Sequence, residues 1–161
     1  MFDKFGEFNS FSEINELAEN LFNEGDLKSL NEVAEENGIP QEYVTMFCNG
    51  DIPYLCDTMT AALGKIEVES KDLKPEEIMA DWVEYVKAQC MEDEIFAGYV
   101  RRKGKSLKGC IGEILAWAFK HQIPVDKEII KAAGVKASRV TLGEPGMGTA
   151  KKLIRTYYTG K

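Results

Sequence analysis

Apolar positions recur at helical spacing along nearly the whole chain, and the residues between the runs are those that start and stop helices. Ser10 with Glu13 has the spacing of a capping box, and Ile14, Leu17, Ala18, Leu21 and Phe22 follow as one stripe closed by Gly25. A second helix is predicted from Asp26 through Leu27, Leu30, Val33 and Ala34, with Gly38 at its C′ position. Pro40 suits the first turn of a short third helix through Tyr43, Val44 and Phe47, closed by Asn49 and Gly50. Pro53 is read as opening a fourth, through Leu55, Met59, Leu63 and Ile66.

After a charged connector at Lys71-Asp72-Leu73-Lys74, Pro75 starts a longer pattern with Ile78, Met79, Trp82, Val83, Val86 and Cys90. Another helix is predicted over about Asp93–Arg102, broken by Gly104. Ser106 then caps a segment whose Leu107, Cys110, Ile111, Ile114, Leu115, Trp117, Ala118 and Phe119 are apolar nearly all round. That segment is the expected central core helix, with Trp82, Ile111, Ile114, Leu115 and Ala118 deeply buried and Trp117 at the polar edge. Short helices follow from Asp126 to Gly134 and over Leu153, Ile154, Tyr157 and Tyr158. Only Val140-Thr141-Leu142 alternates like a strand. The expected fold is an all-α multi-helix bundle, with an acidic N-terminal module over residues 1–72 and a basic C-terminal core over residues 73–161.

Composition fits an ordinary globular protein: 161 residues, 44% hydrophobic and 29% charged. No apolar run approaches the ~20 residues of a membrane span, and Met1-Phe2-Asp3-Lys4-Phe5 has no secretory character, so a soluble, cytoplasmic protein is expected. The net charge of −7 hides a dipole. Residues 1–100 carry 23 acidic and 6 basic side chains, whereas residues 101–161 carry 14 basic and 4 acidic ones. Such asymmetry bears on partners: the acidic part attracts basic protein surfaces, and the basic part suits phosphate or the acidic half of its own or of a second chain, as in a homodimer. Cys48, Cys56, Cys90 and Cys110 contain no CxxC pair, and His121 is the single histidine, so no metal site is expected.

No constellation stands out for catalysis. Leu30–Phe47 has the apolar spacing and glycine turn of a helix-turn-helix, but its exposed Gln41, Glu42, Thr45, Met46 and Asn49 include an acid and no base. Gly143-Glu144-Pro145-Gly146-Met147-Gly148-Thr149-Ala150 has the glycines of a phosphate-binding loop, yet Thr149 and Ala150 replace its lysine and hydroxyl. Nothing in the spacing argues for a Cys110–His121 dyad, and Glu76-Glu77 and Glu92-Asp93-Glu94 read as solvated caps. The chain is therefore expected to bind rather than catalyse, without a cofactor. The best candidate for a partner-binding surface is the cluster Arg101, Arg102, Lys103, Lys105 and Lys108: five bases in eight residues exceed what capping one helix end requires.

From Lys74 to Gly134 the pattern resembles PcfK-like proteins of conjugative plasmids and other mobile elements. The resemblance is carried by Ile78, Trp82 and Val83 with Glu92-Asp93-Glu94-Ile95-Phe96-Ala97-Gly98-Tyr99. It continues through Lys105-Ser106-Leu107-Lys108-Gly109-Cys110-Ile111, Ile114-Leu115-Ala116-Trp117-Ala118 and Val125-Asp126-Lys127-Glu128-Ile129-Ile130. That family includes inhibitors of type II CRISPR nucleases. The resemblance therefore implies an anti-CRISPR protein of a mobile element acting in a bacterial host cell, with the nuclease or its guide RNA complex as partner. A conjugation accessory protein that binds DNA or the relaxation complex through its basic half is the alternative.

Overall fold

Helix caps set most of the element boundaries in the computed structural model, which describes residues 1–161. In chain order the elements are α1 (Phe11–Asn23), α2 (Leu27–Glu36), α3 (Gln41–Cys48), α4 (Thr58–Leu73), α5 (Ile78–Glu92), α6 (Glu94–Arg101), α7 (Leu107–Lys120), β1 (Ile123–Pro124), α8 (Lys127–Ala132), β2 (Thr141–Leu142) and α9 (Met147–Thr159). The fold is all-α, with one two-residue antiparallel ribbon pairing Ile123 with Leu142 and Pro124 with Thr141. No helix is long and apolar enough to cross a membrane.

The caps are mostly those expected. Ser10 accepts a bond from the Glu13 amide, Asp26 from Ser29, Asp93 from Ile95 and Phe96, Asp126 from Glu128, and Ser106 from Gly109. The capping box of α1 is displaced by one residue, because the Glu13 carboxylate receives the amide of Asn9 rather than of Ser10. The fourth helix begins at Thr58, capped by Asp57, and not at Pro53. Asp57 is the stronger start signal because its carboxylate satisfies the free Thr60 amide at 2.7 Å.

Two compact units make up the chain, Met1–Gly109 and Cys110–Lys161. The expected boundary at residues 72/73 falls inside the first unit. That position lies between α4 and α5, which pack on one another, and α4 packs more extensively still against α6. In the first unit, Ile14, Ala18, Leu30, Val33, Ala34, Ile39, Val44, Leu55 and Ala61 form the core under α1 to α4. The α2–α3 turn passes hard against α4. Gly38 has φ +65° and faces Gly64, and a Cβ on either glycine would run into the other segment's backbone. The helix-turn-helix pattern is thus a structural hairpin fixed by two facing glycines.

In the second unit, Ile114, Ile130, Ala150, Ile154 and Tyr158 are buried. The ribbon closes onto the end of α7. Gln122 donates to Ala118 O and accepts from Thr141, and a Cβ at Gly143 would strike both Gln122 and Ala118. Trp82 and Ile114 are buried as expected, but α7 is not buried all round. Leu115 and Phe119 are 56% and 76% exposed, and Ile111, Trp117 and Ala118 are half-buried. Leu107, Cys110 and Ile114 define the buried side. Leu115 is turned about 100° from Ile114, so an all-apolar circumference did not bring packing partners to every face.

Candidate functional site

The segment joining α6 to α7 is held by side chains from distant parts of the first unit. Lys65 of α4 donates to Arg102 O at 2.8 Å, and Asn9 accepts from the Lys103 amide at 3.3 Å. Glu7 accepts from the Gly104 amide at 3.1 Å, and Glu69 of α4 accepts from the Leu107 amide at 2.7 Å. Lys65 and Glu7 also form a salt bridge of 2.6 Å. Four backbone groups in six consecutive residues are thereby fixed from the amino-terminal segment and from α4. Gly104, at φ +80°, makes the turn between them.

The electrostatics of these anchors follow from burial. Lys65 and Glu69 are 1% and 3% exposed. Burial pushes the Lys65 ammonium down against its hydrogen bond to Glu7, and the Glu69 carboxyl up against its hydrogen bond from the Leu107 amide. At Glu7 burial also acts upward, but hydrogen bonds from Lys65 and Gly104 outweigh it and hold the carboxyl below its ordinary range. Beside the segment lies a cavity of about 390 Å³ whose walls include Glu69, Asp72, Lys105 and Lys108.

The structure divides the five-residue basic cluster. Arg101 is 1% exposed and belongs to the interior, which corrects its assignment to a partner-binding surface. It follows Ala97 by one helical turn, and with Phe96, Ala97 and Val100 it lies on the buried face of α6. Its Nη2 donates to Asn37 Oδ1 at 2.8 Å, whereas Nε and Nη1 have no hydrogen-bond partner, and its guanidinium lies 5.6 Å from the Phe2 ring. Arg102, Lys103 and Lys108 are exposed and Lys105 is half-buried. The Arg102 guanidinium sits 4.4 Å from the Tyr99 ring centroid, which restricts its orientation.

Sequence reasoning missed Glu7, Asn9, Lys65 and Glu69. One signal was present: Lys65 and Glu69 are one turn apart and continue the buried row that starts at Ala61 of α4, so two charges occupy interior positions. The other motifs dissolve on inspection. Cys110 is buried near the start of α7, while His121 lies exposed just past its end, bonded to Trp117 O and stacked on the Trp117 ring. No group of histidine, cysteine and carboxylate side chains is arranged to hold a metal. The glycine-rich run leads into α9 from an antiparallel strand, and Gly146 at the helix start provides no side-chain cap. Comparison with family models, curated proteins and solved structures finds no match in any of the three.

Proposed function

We propose that this chain is a binding protein that presents Arg102, Lys103 and Lys108, with Lys105 beside them, to an anionic surface of a macromolecular partner. The observation that carries this reading is the anchoring of the loop backbone by Glu7, Asn9, Lys65 and Glu69. A loop already fixed in one geometry loses little conformational entropy on binding, so more of the contact energy appears as affinity. Burying Lys65 and Glu69 carries a desolvation penalty that a mere connector would not require. Together with the resemblance to PcfK-like proteins, this supports an inhibitor from a mobile element that occupies a charged surface of a type II RNA-guided nuclease or its guide RNA complex.

The test is DNA cleavage by purified type II nucleases, each with its guide RNA, with and without the protein. Dose-dependent inhibition that is lost in Arg102→Glu/Lys103→Glu/Lys108→Glu supports the proposal. Inhibition unchanged by the triple reversal removes the loop from the account. Absence of inhibition together with DNA binding that the triple reversal abolishes would favour the conjugation accessory reading instead.

A further inference from the structure

The second unit has an inverted distribution of apolar side chains. It buries six hydrophobic residues and leaves seven large ones exposed: Leu115, Phe119, Ile123, Ile129, Val135, Leu142 and Met147. The first unit, by contrast, buries twenty-one and exposes ten. Single exposed hydrophobics need no explanation, but these are paired. Leu115 and Phe119 stand one turn apart on the same face of α7. Ile123 and Leu142 are cross-strand partners on one face of the ribbon, 67% and 57% exposed. The ribbon is fastened to the last turn of α7 through Gln122, which bonds Ala118 O, the residue before Phe119. Exposed apolar side chains grouped in this way, rather than scattered singly, are what an interaction surface presents.

Charge indicates the occupant. Residues 110–161 carry nine basic and four acidic side chains, and Lys120, Lys127, Lys131, Lys136 and Arg139 are all exposed. A symmetric pairing of two such units would bring like charges together, whereas an acidic partner is attracted. We propose that this unit docks an acidic amphipathic helix of a partner protein, with the partner's apolar row on Leu115 and Phe119 and its carboxylates drawn to the unit's exposed lysines. This proposal uses none of the residues of the α6–α7 loop, and the failure of either proposal leaves the other standing.

The probe is a designed helical peptide with leucines at i, i+3, i+4 and i+7 and glutamates at its other positions, titrated into the full chain. Saturable binding that weakens with salt supports the proposal. So does a loss of about tenfold or more, equivalent to about 1.4 kcal/mol, in Leu115→Gln/Phe119→Gln. Both positions are exposed, so thermal melts of that variant should match the unchanged protein; Lys120→Glu/Lys127→Glu supplies a second variant that spares the apolar row and should also weaken binding. The proposal is overturned if the peptide does not bind, if it binds both variants equally, or if a Glu→Lys peptide binds as well. It is also overturned if Leu115 and Phe119 serve phosphatidylserine vesicles or a concentration-dependent dimer instead.

Discussion

Lys65 Nζ lies 2.6 Å from Glu7 Oε1 and 2.8 Å from Arg102 O, so one buried ammonium ties the amino-terminal segment to the start of the basic loop. Fifty-eight residues of sequence separate Lys65 from Glu7, and the contact carries more than its own energy. If Glu7 is removed, Lys65 keeps only the Arg102 carbonyl as a hydrogen-bond partner, with Glu69 as its remaining neighbouring carboxyl, while staying out of water. Glu7→Ala should therefore lower stability by about 1–3 kcal/mol, the cost of leaving a buried donor short of one acceptor. Chemical denaturation checks this, and faster amide exchange at Gly104 would show the loop released along with the pair.

The two carboxyls that hold the loop should respond to pH with opposite signs. Glu7 is held below its ordinary range, so its contribution is complete above about pH 4.5 and fades as pH falls through the lower folded value. Glu69 is held above its ordinary range by burial, so its contribution is complete below about pH 4.5 and fades as pH rises through the higher folded value. Between about pH 6 and pH 3 the melting-temperature gap between the unchanged protein and Glu7→Gln should narrow. The gap to Glu69→Gln should widen over the same range. Gaps that move in the same direction would contradict the assignment.

Charge removal should separate the basic residues into two classes. Arg101→Ala exposes a cavity and leaves Asn37 Oδ1 without its buried donor, which predicts a loss of about 2–4 kcal/mol. Reversal of the exposed Arg102, Lys103 and Lys108 should change stability by about 0.5 kcal/mol or less per site. It should weaken partner binding and, for a nucleic-acid partner, reduce the salt slope by about one unit per lost phosphate contact. Thermal melts beside binding at two salt concentrations distinguish the classes.

Gly64→Ala should destabilise the protein despite the better helix propensity of alanine. The new Cβ would fall on Asn37 O and the Gly38 backbone, and those atoms belong to a packed turn that cannot yield as a side-chain tip can. Overpacking of this kind costs about 1–3 kcal/mol, more than the ~1 kcal/mol gained from replacing glycine in a helix. A melting temperature equal to that of the unchanged protein would show that α4 and the α2–α3 turn separate freely.

Thiol reactivity should follow burial. Burial pushes Cys56 and Cys90 up to about 12, and both are nearly inaccessible, whereas Cys48 is half-buried. Alkylation at about pH 8 should modify Cys48 first and reach Cys56 and Cys90 only as the protein unfolds. Early labelling of Cys90 would place the α5 face in solvent.

Local chemistry makes much of the fold legible in the order of residues alone. Ser10, Asp26, Asp93, Ser106 and Asp126 cap helices because each needs only an amide two or three residues ahead. Gly25, Gly38, Gly50, Gly104 and Gly134 adopt positive φ where the apolar stripes stop, again a local requirement. Periodicity likewise placed Trp82, Val83, Val86 and Cys90 on one buried face of α5.

What the chain's order of residues could not reveal is which faces find partners. Arg101 and Arg102 are neighbours in a basic run, yet the 100° turn of a helix between them sends one into the interior and leaves the other in water. Leu115 has the same apolar character as Ile114 and still faces outward. The anchors of the loop come from Glu7, Asn9, Lys65 and Glu69, between 38 and 97 residues away from the groups they hold, except for the 37-residue step from Lys65 to Arg102. Caps and turns are decided by interactions within a few residues and are therefore written in the sequence. Burial and long-range anchoring depend on how whole helices pack, so only the tertiary structure decided them.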